Sequence, residues 1–322
     1  MTPVGVIGAG AFGTAIACAL AGAGTEVKLW GRNHRRMAEM ASERRNRRYL
    51  PDCRFPERVT PTGCLVDLSD IGLLFMVIPS AALAGFLVRT GIPGGDAPVV
   101  LCAKGIDRDH CRLQTEILAS EVPDRRAAVL TGPGFAVDLA AGQPVALTLA
   151  CRDPALGREI QTRIATPVLR PYLTTDTVGA QLGGALKNVV AIACGIAMGA
   201  GLGESARAAL LTRGAVEITR LAVALGGRPE TLAGLSGFGD LVLTSTSERS
   251  RNYAFGLALG AGRAPLADQT VEGVGTAEAT VRLARRKAID MPVADAVAGV
   301  LESRFTVREA LESLMSRPLR AE

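Results

Sequence analysis

The run GGALKNVVA, Gly183 to Ala191, sets one lysine and one asparagine into a segment that is otherwise apolar and rich in glycine. An ammonium taken out of water needs either a partner or a use for its proton, because an isolated buried charge is costly. Lysine releases a proton when it is desolvated, whereas a guanidinium keeps its own. The chain uses lysine sparingly: of 36 basic residues only Lys28, Lys104, Lys187 and Lys287 are lysine. Those in apolar settings, Lys187 and Lys104, are therefore the candidates for proton transfer. The two histidines, His34 and His110, stand in charged, exposed-looking stretches, so the commonest general acid or base has few places to act. A salt-bridged structural lysine is the alternative that the spacing alone leaves open.

A second constellation binds rather than reacts. GAGAFG places Gly8, Gly10 and Gly13 in G-x-G-x-x-G spacing, directly after a strand pattern and at the opening of a helix pattern. In that context the first glycine permits a tight turn, the second lets backbone approach a pyrophosphate, and the third allows close helix-to-strand packing. Free N–H groups at the helix N-terminus complete a dinucleotide site. An acidic residue at the end of the next strand would hold the ribose 2′-OH of NAD, but LWGRNHRR offers Arg32, Arg35 and Arg36 instead. Guanidinium groups clamp a 2′-phosphate, so NADP(H) is the expected preference, with NAD(H) still possible. The basic run ERRNRR, Glu43 to Arg48, lacks interleaved aromatics; it is expected to be a solvated helix face or the rim of the cofactor site, not a nucleic-acid surface.

The elements needed to position these residues are legible along the chain. TPVGVIGAG, AFGTAIACALAGAG and TEVKLW form a βαβ unit, and apolar strand patterns recur at IGLLFMVIP, APVVLCAKG, AAVLTGPG, VALTLAC and PVLRPYL. Near-continuous apolar strands separated by helices predict a doubly wound, mostly parallel Rossmann-like α/β domain over residues 1–175. From 176 to 322 only helix patterns remain, so an all-α domain is expected there, with AQLGGALKNVVAIACGIAMGAG read as a buried core helix and not a membrane span.

Bulk properties constrain less. A 322-residue chain with 48% hydrophobic and 21% charged residues is ordinary for a globular protein, and a net charge of +5 suits an anionic ligand without requiring one. The N-terminus enters a strand at once, without a basic n-region, so a cytoplasmic location is expected. The seven cysteines show neither C-x-x-C nor metal-ligand spacing; reduced thiols and no metal are expected.

Taken in order, VIGAGAFGTAIA, RNRRYLPD, KGID, GPGFAVDLAAGQP, GAQLGGALKNVVAIACG, ARAALLTRG, SGFGDLVLTSTSERSRNYAFG and VEGVGT resemble the NAD(P)-dependent glycerol-3-phosphate dehydrogenases of the bacterial type. The resemblance spans nearly the whole chain. It implies interconversion of dihydroxyacetone phosphate and sn-glycerol 3-phosphate, the latter feeding glycerophospholipid synthesis. By motif it makes Lys187 the proton donor in reduction and the acceptor in oxidation. Substrate contacts are implied for Lys104, Gly132, Gly134, Lys187, Asp240, Ser250, Arg251 and Asn252. Cofactor contacts are implied for Gly8, Gly10, Ala11, Phe12, Gly13, Arg32, Tyr49, Lys104, Ala136, Arg251 and Glu272. Two departures stand out: Gly134 and Ala11 occupy positions where the family usually carries a hydroxyl side chain.

Hydride transfer to a ketone develops negative charge on the carbonyl oxygen, and a lysine ammonium aimed there neutralises it. Asp240 and Asn188 are expected to orient Lys187, and Gly183 and Gly184 to let the cofactor domain or substrate approach it. Arg213 and Glu217, four apart on one helix, are expected to form a surface or interface ion pair. A homodimer is expected from the apolar helices, with a small-molecule substrate and neither nucleic acid nor membrane as partner. The competing readings are another lysine-dependent hydroxyacid or 6-phosphogluconate-type dehydrogenase, and a non-catalytic NADP(H)-binding redox sensor.

Overall fold

A computed structural model of the chain describes residues 2–264 and 271–316. The start of DQTVEGVGTAEATVRLARRKA, expected to be helical from Asp268, lies outside the described residues. The chain divides into two compact units, Met1–Ala103 with Gln114–Thr177, and Lys104–Leu113 with Val178–Glu322.

The first unit holds β1 (Val4–Ile7), α1 (Ala11–Gly22), β2 (Val27–Trp30), α2 (His34–Glu43), β3 (Arg45–Asn46), β4 (Leu50–Arg54), β5 (Val59–Thr62), β6 (Leu73–Met76), α3 (Leu83–Thr90), β7 (Val99–Leu101), α4 (Gln114–Glu121), β8 (Ala127–Thr131), α5 (Ala136–Ala140), β9 (Val145–Ala150), α6 (Pro154–Ile164) and β10 (Leu169–Thr174). Eight strands form one sheet in the order β10-β9-β8-β7-β6-β1-β2-β5. Every pairing is parallel except β8 with β9. Strands such as β1 and β6 are buried at every residue, as a sheet covered on both faces requires. β1 lies where the winding reverses, between β2 and β6, and such a switch point opens a crevice at the carboxyl ends of the strands.

All seven strand patterns read from the sequence are present. The hairpin β3–β4 and β5 were not expected, and the ERRNRR run is not one helix face. Helix α2 stops at Arg44, which takes a left-handed φ of 55°, and the chain then turns into the hairpin. Arg44 is held there by donating to the carbonyls of Val59, at 2.8 Å, and Pro56.

The second unit holds α7 (Thr177–Gly199, whose first residue groups with the sheet), α8 (Gly203–Ala224), α9 (Pro229–Ala233), a π-helical turn (Leu235–Gly239), α10 (Asp240–Ser245), α11 (Arg251–Gly260), α12 (Glu272–Arg286), α13 (Pro292–Leu301) and α14 (Val307–Met315). Segment 104–113 departs from the expected single boundary at residues 175 and 176. Its Ile106, Cys111 and Leu113 are buried in the helical core, so it packs with that unit although it lies between β7 and α4 in sequence. Among the described residues α7 alone is long and apolar enough to cross a membrane, and 83% of its most apolar window is buried, as in the core helix of a folded domain.

Helices α7 and α11 meet backbone to backbone. A Cβ added at Gly195 or Gly199 would stand 2.2 Å from the carbonyl oxygen of Tyr253 or Leu257. One added at Gly256 or Gly260 would meet those of Ile192 or Ile196 at 2.2 and 2.1 Å. Only glycine permits this approach, and it fixes the start of α11 beside the middle of α7. Gly183 serves a related purpose, since its missing side chain accommodates the Ser236 carbonyl of the π-helical turn. The space expected for the cofactor domain or substrate at Gly183 is thus taken up by the unit's own backbone.

Glu217 is not part of a surface ion pair. It is 4% exposed, and its carboxylate accepts the N–H groups of Val293 and Ala294 at 2.9 and 3.2 Å, capping α13 from α8. Burial raises its pKa from 4.5 to about 7, the two backbone donors and Arg213 opposing that shift.

Candidate functional site

In the sheet unit, Gly8 follows β1 with φ of +120°, and a Cβ there would lie 2.3 Å from the Val77 carbonyl. Its N–H bonds the Trp30 carbonyl at 3.0 Å, so the turn is clamped between β2 and β6. A Cβ on Gly10, by contrast, would meet nothing within 4 Å. Gly10 precedes α1, whose N-terminus no side chain caps, and the first turn therefore offers its N–H groups outward. A constricted first glycine, an open second one and an uncapped helix start fit a dinucleotide pyrophosphate. Ala11 adds no hydroxyl, so the donors at the helix start are the backbone N–H groups of Ala11, Phe12 and Gly13.

Sequence reading missed the residue that secures this turn. Asn46, 1% exposed, donates from its side-chain amide to the Ala9 carbonyl at 3.1 Å and to the Thr14 hydroxyl at 2.9 Å. The hairpin β3–β4, which carries Tyr49, is thereby tied to the glycine turn. An asparagine in a basic run gives no sequence signal of burial. Tyr49 is 40% exposed, with the Arg48 guanidinium 5.4 Å from its ring centroid. At the end of β2, Asn33 caps α2 by accepting the Arg36 N–H at 2.9 Å. Arg35 pairs with Glu39 at 3.0 Å, whereas among the described residues no carboxylate pairs with Arg32 or Arg36. Gly132 follows β8 with φ of +137°, and α5 starts at Ala136 with Phe135 as its N-cap. At Gly134 a Cβ would lie 2.6 Å from Cγ1 of Val145, so a side chain there has no room without movement of Val145.

In the helical unit, Lys104, Lys187 and Asp240 come together. Lys187 Nζ lies 2.5 Å from Asp240 Oδ1 and 2.6 Å from the Thr244 hydroxyl, while Lys104 Nζ lies 2.7 Å from Asp240 Oδ2. The π-helical turn and α10 present Asp240 and Thr244, one helical turn apart, to α7. Lys187 is 5% exposed and Asp240 1%. Burial pulls the Lys187 ammonium from its usual 10.5 down to about 8; Asp240 opposes this and the Lys104 charge adds to it. An ammonium has three donors, and Asp240 and Thr244 take two, which leaves a third.

Asn188 holds Lys104 and not Lys187. Its amide donates to the Lys104 carbonyl at 3.1 Å, its oxygen accepts from Asn252 at 3.0 Å, and the Asn252 oxygen accepts the Gly273 N–H at 2.9 Å. This relay links α7, α11 and the start of α12, where Glu272 stands. Ser250 is 4% exposed and caps α11 by accepting the Tyr253 N–H at 3.3 Å. Arg251 opens that helix from an exposed position, so a guanidinium and a helix N-terminus face the same surroundings. Thr244 is the residue of this cluster absent from the sequence expectation.

A nucleotide turn on a doubly wound sheet, joined in one chain to a helical unit that buries a lysine with a lowered pKa, defines the protein as a nicotinamide-linked dehydrogenase. Family models narrow the class: that for the NAD-dependent glycerol-3-phosphate dehydrogenase N-terminus matches residues 3–157, and that for its C-terminus residues 176–312. The chain belongs to the NAD-dependent glycerol-3-phosphate dehydrogenase family. It is 49% identical over 319 residues to the glycerol-3-phosphate dehydrogenase (NAD(P)+) of Paracoccus denitrificans, with 99% of each chain covered. The relative from Cereibacter sphaeroides is also 49% identical, covering 99% of this chain and all of its own. The crystal structure of the Coxiella burnetii glycerol-3-phosphate dehydrogenase superposes with a TM-score of 0.93 at 36% identity, covering 98% of this chain and 99% of that one.

Proposed function

We propose that the enzyme interconverts dihydroxyacetone phosphate and sn-glycerol 3-phosphate, with Lys187 as the acid in reduction and the base in oxidation, and so supplies glycerol 3-phosphate for glycerophospholipid synthesis. The observation that carries the assignment is the buried Lys187 ammonium, held by Asp240 and Thr244 with a pKa brought to about 8, in a chain of this family. Bound NAD(P)H supplies the hydride. Lys187 meets the negative charge that develops on the ketone oxygen and gives up its proton there; Asp240 and Thr244 keep the Nζ in place throughout. Lys104 shares Asp240, so the three side chains carry one net positive charge when both lysines are protonated, which favours an anionic oxygen. The Arg251 guanidinium, the N-terminus of α11 and the remaining N–H of Asn252 are donors suited to the substrate phosphate. Gly132 and Gly134 contribute backbone to the substrate side, and Phe12, Tyr49, Ala136 and Glu272 contact the cofactor.

NADP(H) is the preferred cofactor on this reading, supported by the carboxylate-free positions of Arg32 and Arg36. The assembly is a homodimer, supported by exposed Leu202, Val223, Phe238 and Val242 on the helical unit, and the location is cytoplasmic. The rival hydroxyacid or 6-phosphogluconate-type dehydrogenase and the redox sensor gain nothing from the family match. One experiment tests reaction, substrate and cofactor together: loss of nicotinamide absorbance on adding dihydroxyacetone phosphate with NADPH, repeated with NADH. No turnover with either refutes the reaction, and a higher kcat/KM with NADH refutes the preference. Lys187→Ala is expected to abolish turnover while leaving NADPH binding nearly intact.

A further inference from the structure

Cys18 and Cys53 are far apart in sequence, yet their Sγ atoms lie 3.5 Å apart and share a hydrogen bond. Cys18 sits on α1, the helix that opens at the glycine turn, and is 7% exposed; Cys53 sits on β4, is partly exposed, and is the member an external reagent reaches first. The hydrogen bond to Cys18 brings the Cys53 thiol down to about 7, while the same contact raises Cys18. A partly exposed sulfur with thiolate character beside a buried thiol is the arrangement in which a first oxidation is resolved by a neighbour.

We propose that Cys18 and Cys53 form a peroxide-oxidised, reversible disulfide that weakens dinucleotide binding at the glycine turn. The Cys53 thiolate attacks hydrogen peroxide, breaking the O–O bond and becoming a sulfenic acid with release of hydroxide. The Cys18 thiol then attacks that sulfur and the oxygen leaves as water, so two thiols and one peroxide give one disulfide and two waters. Bonding requires the sulfurs, now 3.5 Å apart, to close by about 1.5 Å, because a disulfide spans roughly 2.05 Å. The hairpin that carries Cys53 is tied to the glycine turn, which is how its movement would be felt there. Asn46, next to the Arg45–Arg54 pair that flanks Cys53, is bonded to the Ala9 carbonyl and the Thr14 hydroxyl at 3.1 and 2.9 Å. Drawing β4 onto α1 strains the bond to Ala9, the residue between Gly8 and Gly10.

The functional half of the proposal rests on dinucleotide binding at that turn, and the chemical half does not. The full chain is treated with hydrogen peroxide, blocked with iodoacetamide and mapped by mass spectrometry, and NADPH affinity is measured by fluorescence before and after. A peptide linking Cys18 to Cys53 is expected, with the NADPH Kd raised about three- to tenfold, the equivalent of one net hydrogen bond. Dithiothreitol should reverse both changes, and Cys53→Ser and Cys18→Ala should each abolish both. Absence of the linked peptide overturns the proposal, as does a linked enzyme whose Kd is unchanged. Failure of the reduced enzyme to bind NADPH would overturn the functional half and the dinucleotide reading together.

Discussion

Replacing Asp240 with asparagine keeps the side chain's shape and removes the one negative charge between two ammonium groups. Lys187 then keeps both influences that lower its pKa, burial and the charge of Lys104, and loses the one that raises it. A unit charge about 4 Å away contributes roughly 4 kcal/mol at an effective dielectric near 20, or about three pH units. Lys104, 18% exposed at its side chain, is able to swing toward solvent and relieve part of the repulsion. A fall of roughly two pH units in the midpoint is therefore the conservative expectation. With the wild-type midpoint at about 8, about three quarters of the enzyme carries a protonated Lys187 at pH 7.5. After such a shift about 3% does, and kcat/KM for ketone reduction falls about 25-fold from protonation alone. The assay is kcat/KM for dihydroxyacetone phosphate from pH 5.5 to 9.5 in both enzymes. Wild type should lose activity as the pH rises through about 8, and Asp240→Asn should do so at clearly lower pH. A lower rate with an unmoved midpoint would refute the electrostatic role, leaving Asp240 as a spacer.

Glu217 makes a prediction of the opposite kind. Its folded pKa, about 7, lies above the ordinary 4.5, so the folded state retains a proton that the unfolded state loses in that window. Stability should therefore fall as pH rises from about 4.5 to 7 and level off above, by about 3 kcal/mol in all. Glu217→Gln should flatten this part of the melting-temperature profile; an unchanged slope assigns the proton elsewhere. At the glycine turn, Gly8→Ala should destabilise the fold, by left-handed strain and collision with the Val77 carbonyl. Gly10→Ala should fold normally and lose NADPH affinity, and the reverse ranking of the two in a thermal melt would contradict the turn geometry. Arg32→Ser should raise the KM for NADPH about tenfold or more while leaving that for NADH nearly unchanged, as loss of a charge-assisted contact to the 2′-phosphate requires; equal losses with both cofactors would show that Arg32 does not read the 2′ position.

The parts of the fold legible in the sequence are those whose cause is local. Strands such as VGVI and LLFM are apolar at every residue, and the long helices α7 and α8 carry pattern enough to declare themselves. What the sequence hid is short or held from outside. Strand β3 is two residues long and follows the αL turn at Arg44, while the π-helical turn packs its Ser236 carbonyl where Gly183 has no side chain. Glu217 stands four residues after Arg213, which reads as a surface pair. Its actual partners are N–H groups of α13, 76 and 77 residues on.

The site divides in the same way. The sequence by itself determined that a glycine turn stands here, because strand, turn and helix N-terminus are consecutive; that Val77 constricts it and Asn46 secures it only the fold decided. It also determined that Lys187 required an explanation. Only the tertiary structure decided what that explanation is: Asp240 and Thr244 lie 53 and 57 residues from Lys187, and Lys104 lies 136 from Asp240. The chemistry of an ammonium depends on charges within a few ångströms and on exclusion of water, and neither is a property of the residues next to it in the chain.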